Sequence, residues 1–386
     1  MRFSDRTAWD LGENSFAGAV REARSLGREL IDLTVSNPTA CGFTYDESAL
    51  LSPLSEAGAL LYEPEALGMR SARMAVAAYY ADAGTQIPVE RLCLTTSTSE
   101  AYSYLFRLLC DAGDEVLVAS PSYPLFDFIA RIDDVRLVEY PLLYDHGWFI
   151  DLHTLESLIG PRTRAIIVVH PNNPTGHFCS VKEQEALREL CVQRGLALIV
   201  DEVFLDYALE AVAAQSFASG ESRESGALTF VLSGLSKVCA LPQMKCSWIA
   251  AFGPPAEVDE AMARLEMIAD TFLSMNAPVQ YALPVWLACR HSLQQQIRER
   301  MRKNLALLDA ALSGSACQRL EMDAGWTAVL RVPRFVDGFE FCDAALWRGV
   351  VVQPGQFYGL PGGRVVLSLL TPTASWQEGL KLLPWG

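Results

Sequence analysis

Metal-binding and thiol-redox signatures are missing from this sequence. Its 10 cysteines are scattered, none in a Cys-x-x-Cys pair, and none of the 5 histidines is spaced to complete a zinc site. Basic charge is scarce: 31 Lys and Arg stand against 46 Asp and Glu, a net charge of −15. That excludes the basic face on which nucleic-acid binding depends, and it disfavours attachment to an anionic membrane. No run approaches the ~18 continuous apolar residues of a membrane span. Residues 1–14 are charged and carry no apolar signal segment. There is no Gly-x-x-x-x-Gly-Lys phosphate loop, no internal repeat and no low-complexity tract. Cys93, Cys110 and Cys191 lie in apolar surroundings. Buried free thiols are therefore expected, in a reducing, cytoplasmic compartment.

What is present is a large apolar fraction, 51%, in a chain of 386 residues. That length exceeds what one core usually supports, so two domains are expected. Between residues 90 and 252, short apolar runs at 92–95, 115–119, 136–140, 165–170, 196–200, 229–232 and 248–252 alternate with helical patterns. Several are apolar on both faces, as buried strands are. The clearest helix covers 182–194. Ser180 and Glu183 form a capping box before it and Gly195 ends it. This alternation predicts an α/β fold, a mostly parallel sheet with helices on both faces. After residue 255 the pattern changes to a long helix over 277–312, bent or interrupted near Pro284. Short strands then follow at 327–332 and 365–370 around a helix at 338–348. This reads as a smaller α+β domain on which an N-terminal helix near 16–26 packs. The expected division is 45–280 for the large domain, and 1–44 with 281–386 for the small one.

Four segments carry chemistry. In Ser233-Gly234-Leu235-Ser236-Lys237 a lysine follows a buried strand within a turn of small residues. Alone it is compatible with a solvated strand end. Desolvated, its amine is nucleophilic and able to form a Schiff base with an aldehyde cofactor. Asp201 closes the strand at 196–200, where a carboxylate points into the crevice at the C-terminal edge of a sheet; a helix cap is the plainer alternative. His170-Pro171-Asn172-Asn173-Pro174-Thr175-Gly176 is a rigid turn that presents an amide, or simply links strand to helix. Thr95-Thr96-Ser97-Thr98-Ser99 opens a helix whose free N–H groups and hydroxyls suit a phosphate, or merely cap it.

In combination, order and spacing, these segments resemble the class I/II aminotransferases, fold-type I enzymes dependent on pyridoxal 5′-phosphate (PLP), over residues 31–372. The resemblance implies that Lys237 is the Schiff-base lysine, Asp201 the acid at the pyridine nitrogen and Asn173 the donor to the phenolic O3′. It implies that Thr98 and Ser99 hold the phosphate. Tyr123, in Pro121-Ser122-Tyr123-Pro124, would stack on the ring, and Tyr62 would reach the phosphate of a neighbouring subunit in a homodimer. Ser36-Asn37-Pro38 matches the substrate-facing turn. The departures are specific. Lys245 stands where the family has a phosphate-binding arginine, and Phe204 where it has a tyrosine. Ser97 and Ser36 replace glycines. Val366 precedes Leu367-Ser368, where an arginine normally takes the substrate carboxylate. Arg364, two residues earlier on the same strand face, is the candidate substitute. Trp326 and Phe357 suit either the pocket wall or the core. The expected activity is transfer of an amino group between an amino acid, or a related amine, and a 2-oxo acid. β-Elimination, decarboxylation or racemisation on the same scaffold stays open, as does PLP binding without turnover.

Overall fold

The computed structural model describes residues 1–209, 215–219 and 226–385. Its centre is an eight-stranded sheet. In spatial order the strands are Leu92–Thr95, Ser247–Phe252, Thr229–Gly234, Ala197–Asp201, Thr163–Val169, Glu115–Ser120, Arg136–Tyr144 and Trp148–Ile150. Ser247–Phe252 and the edge strand Trp148–Ile150 run antiparallel to their neighbours; the remaining pairs are parallel. All seven apolar runs of the sequence are strands here.

Period-two alternation sends each strand's side chains to opposite faces. Leu94, Leu117, Ile166, Leu198, Val231 and Trp248 build one core, under helix Arg70–Asp82 and the start of helix Ala277–Leu312. Cys93, Val116, Ile167, Ile199, Phe230 and Ile249 build the other, under helices Thr98–Leu109 and Pro255–Phe272. Covered on both faces, such strands need apolar residues throughout, which is why they read as continuous runs. Helix Val181–Arg194 carries the expected capping box and ends at Gly195, φ 63°. All ten cysteines are free and eight are buried. No helix among the described residues is long and apolar enough to cross a membrane.

A third core surrounds a four-stranded sheet in the order Gln318–Arg319, Thr327–Arg331, Arg364–Ser368, Gln353–Pro354. Helix Gly338–Trp347 and the N-terminal helix Ser15–Ser25 pack on it. Helix Ala277–Leu312 continues through Pro284, without the interruption a proline there could impose. The reason is tertiary. Val279, Leu283, Trp286 and Leu287 are sunk in one core, and Leu293, Ile297, Met301 and Leu308 in another. Packing on both flanks outweighs the hydrogen bond a proline removes. At 1.5 Å per residue the helix is about 54 Å long and ties the two cores together.

The seam between those cores tightens at Gly176. Its carbonyl accepts the Asp323 and Ala324 N–H groups, both at 3.1 Å. With φ +73°, a Cβ there would lie 2.3 Å from the Ala324 carbonyl oxygen. Gly176→Ala is therefore expected to destabilise the protein by about 2–4 kcal/mol, through a left-handed backbone and a backbone clash together. The midpoint of denaturant unfolding measures this.

Candidate active site

Strand Thr229–Gly234 gives way without a loop to the short helix Leu235–Val238, which carries Lys237. The turn is held by buried neutral donors. The Tyr207 hydroxyl donates to the Lys237 carbonyl at 2.6 Å, the Gln294 amide to the Val238 carbonyl at 2.9 Å, and the Tyr45 hydroxyl to the Ala240 carbonyl at 2.9 Å. Lys237 Nζ lies 5.0 Å from the Trp326 ring centre and 5.5 Å from that of Phe204. Burial lowers its pKa, and Asp201 pulls in the opposite direction. The amine is thereby shifted towards the neutral, nucleophilic form.

Asp201 ends the strand beside it, paired with Leu232. Its carboxylate is buried. One oxygen accepts the Val203 N–H at 3.1 Å and the other the Tyr102 hydroxyl at 3.1 Å. Desolvation pushes its pKa up to about 6, even though these two donors and Lys237 pull it down. Tyr102 is a site residue that the sequence reading missed. It occurs as one more apolar position of helix Thr98–Leu109, and only the fold aims its hydroxyl at Asp201.

The turn after Thr163–Val169 divides its two asparagines by role. Asn172 is buried and occupied: its amide donates to the Pro121 carbonyl at 3.3 Å, and its oxygen accepts the Thr175 hydroxyl at 2.9 Å. Asn173 is half-buried, and its side chain makes no hydrogen bond to a described residue. His170, at the head of this turn, is fastened between the Cys179 N–H and the Gln215 carbonyl, and burial takes its pKa down to about 3. Its work is structural. The Asn172–Pro121 bond also positions Tyr123, which packs edge-on to Phe126 at 6.0 Å and lies near enough to Asp201 to feel its charge.

Helix Thr98–Leu109 is capped by Ser97, whose hydroxyl accepts the Glu100 N–H at 3.1 Å. That leaves the N–H groups and hydroxyls of Thr98 and Ser99 without a partner among the described residues, at the positive end of the helix dipole. Lys245 approaches from the adjacent strand. Since Thr95 pairs with Ser247, the antiparallel register carries Lys245 alongside this turn. Its backbone is left-handed, φ 54°, and it is exposed.

The N-terminal arm docks where the Ser368 N–H donates to the Leu33 carbonyl and the Ser368 hydroxyl to the Val35 carbonyl, both at 2.7 Å. Ser36 and Asn37 follow directly and are exposed; Asn37 caps the turn Pro38–Ala40. Trp326, left open between wall and core, is both. It is buried against Tyr207 and Phe204 with its face to Lys237, and its N–H is buried without a partner among the described residues. Phe357 packs on Phe339 and also lines the recess that holds Tyr123.

Two predicted residues are not brought to Lys237. Tyr62 is 83% exposed, directly after exposed Leu60 and Leu61. Arg364 begins the strand of which Ser368 is the end nearest Trp326. Four residues of strand place its backbone roughly 13 Å from that end. Val366 points into a small apolar cluster with Leu320, Val329 and Leu360.

The family model "Aminotransferase class I and II" matches residues 47–375. The glutamate-pyruvate aminotransferase AlaA of Escherichia coli K12 is 28% identical over 282 residues, 72% of this chain and 69% of that protein. The alanine aminotransferase of Mycobacterium tuberculosis is 27% identical over 309 residues, 80% of this chain and 68% of that protein. The solved structure of an alanine aminotransferase from Pyrococcus furiosus superposes with a TM-score of 0.87 at 22% identity, covering 99% of this chain and 98% of that one. A Thermus thermophilus aspartate aminotransferase mutant gives 0.84 at 25% identity, with 99% of both chains covered. With the family model spanning most of the chain, this protein belongs to the class I and II aminotransferases and is a transaminase.

Proposed function

We propose that this chain binds PLP at Lys237 and uses it to move an amino group between an amino acid and a 2-oxo acid. The observation that carries the reading is the desolvated pair at neighbouring strand ends, a lysine lowered in pKa and a carboxyl raised to about 6. Asp201 forms no ion pair among the described residues, so the cost of its burial is only partly offset there. A protonated pyridine nitrogen would supply the missing cation. Asn173, unengaged, suits the phenolic O3′. Thr98, Ser99 and Lys245 suit the phosphate, and Tyr123 suits the ring face. The residues present therefore fit the cofactor.

When bound, PLP supplies the electron sink for the chemistry. Lys237 would hold the cofactor through its amine, and the same amine, when free, would serve as the proton carrier of the site, base and then acid. Asp201 would face the ring nitrogen and favour its protonated form, with Tyr102 fixing the direction of the carboxylate. Trp326 and Phe204 exclude water around the amine, so its proton affinity is set by the protein. Ser36 and Asn37, docked beside Ser368, line the substrate side. Glutamate and pyruvate, named in one relative, are the first pair to assay. The exposed Leu60-Leu61-Tyr62 edge suits burial against a second copy, which would place Tyr62 in the partner's phosphate site. A reducing cytoplasm suits ten free thiols.

Three outcomes test these roles. Lys237→Ala should abolish transamination, and borohydride reduction of the parent should place the adduct on the Lys237 peptide. An adduct on Lys182 or Lys245 would rule the assignment out. Lys245→Ala should weaken PLP binding by about one to two decades, the loss of one charge-assisted contact of roughly 1.5–3 kcal/mol; unchanged affinity in an equilibrium titration removes that role. For Asp201 the sign follows from a raised acid pKa. The carboxyl favours the folded state when protonated, and that contribution is lost as pH rises from the unfolded value near 3.9 through about 6. Cofactor-free Asp201→Asn should therefore match the parent near pH 4 and exceed its stability by about 2–3 kcal/mol at pH 8, while binding PLP poorly. Denaturant titrations at the two pH values decide it.

A further inference from the structure

The strand face that carries Arg364 holds a second group of unused donors. Arg364 lies directly opposite Arg331 in the antiparallel pair. Directly opposed residues share a face with Cβ atoms about 5 Å apart, and like charges so placed repel. Burial and then Arg331 lower the Arg364 pKa, with no carboxylate among the causes. Among the described residues, the guanidinium's partner is the Pro361 carbonyl, and its Nε is buried with none. Arg331 lies over the Tyr144 ring, 5.8 Å from its centre.

Arg364, Tyr144 and Trp148 border a cleft of about 490 Å³, closed on other sides by Pro121 and Gly359. The Trp148 indole N–H is also buried without a partner among the described residues. The Tyr144 oxygen accepts the Glu321 N–H at 3.1 Å, which leaves its own proton free to donate. Glu139 is the one acid in the lining; it is exposed and makes no ion pair with either arginine among the described residues. Unpaired arginines on an open surface need no explanation. A half-buried one forced against a second arginine does, because a desolvated charge without a counter-charge is unfavourable. The cleft adjoins the recess of Tyr123, with Ser120, Glu139 and Gly359 as shared walls.

We propose that this cleft is an oxyanion site, in which Arg364 and Arg331 hold a carboxylate or phosphate-type group and the Trp148 and Tyr144 donors complete its coordination. The planar guanidinium fork matches either group. Occupation draws the Arg364 guanidinium from the Pro361 carbonyl and relieves the repulsion between the arginines. The anion is either the far end of the substrate, which rests on the transaminase reading, or a free anion.

The test uses the holoenzyme, whose cofactor fills its own phosphate cradle, at constant ionic strength. Glutarate and inorganic sulfate are titrated calorimetrically into the parent, Arg331→Gln and Trp148→Phe. The parent should bind saturably, Arg331→Gln roughly tenfold more weakly, and Trp148→Phe more weakly than the parent. Without anion, Arg331→Gln should melt no lower than the parent, since a repulsion has been removed. No saturable binding by the parent, or equal affinity in Arg331→Gln, overturns the site. Kinetics separates the two sources. If the anion belongs to the substrate, Arg331→Gln raises KM for a dicarboxylic 2-oxo acid roughly tenfold more than for pyruvate. If it is free, sulfate changes the rates with both acceptors alike, and Arg331→Gln abolishes that response. The calorimetric arm needs no turnover, so a chain that binds anions here yet fails to transaminate would overturn the reaction assigned above and leave the site standing.

Discussion

The site depends on one unfavourable arrangement: a carboxyl taken out of water at the end of a buried strand. Asp201 sits among strands covered on both faces, and the two hydrogen bonds it receives from Val203 and Tyr102 do not offset the loss of solvent. Both donors are neutral, so a full positive charge remains wanting at the carboxylate. A sheet whose parallel strands end together makes this possible, because it gathers polar strand ends at one edge of an apolar layer. Lys237, the nearby cation, is held by its own turn and forms no ion pair with Asp201 among the described residues. The protein holds the acid and the amine close without letting them neutralise each other.

Lys237 is subject to opposing effects, and their balance is decided by burial. The faces of Trp326 and Phe204 favour a cation, by about 0.5–2 kcal/mol at such distances, and Asp201 favours it further. Desolvation nevertheless dominates, and the amine's pKa falls. The backbone beneath the amine is gripped by Tyr207, Tyr45 and Gln294 through neutral hydrogen bonds. These orient the turn without adding charge that would alter the proton affinity of either functional group.

The pocket is closed by the seam between the sheet and the C-terminal core. Gly176 against Ala324, the Thr327 hydroxyl donating to the Pro174 carbonyl at 2.9 Å, and Ser368 against Val35 bring three distant segments into register. The same seam carries Trp326 over Lys237. Along strand Arg364–Ser368, Ser368 meets the N-terminal arm, while at the other end Arg364 stands opposite Arg331, which lies over Tyr144.

Much of this was legible in the sequence, for local reasons. Buried strands announce themselves as apolar runs, and a capping box as Ser180 with Glu183. A reactive lysine in a small-residue turn, an acid at a strand end and an asparagine between prolines are each encoded within a few residues. Chain order alone therefore determined the α/β class, the strands, and Lys237, Asp201 and Asn173 as candidates. Tertiary structure decided what depends on contacts between distant segments. It made Asn172 structural and left Asn173 free, gave Asp201 a hydroxyl from a helix 99 residues earlier, and kept the helix intact through Pro284. It set Arg364 at the strand end away from Lys237, in a cleft beside Tyr144 and Trp148 and opposite Arg331 in register, because strand pairing, not motif spacing, decides which end of a strand lies near the lysine.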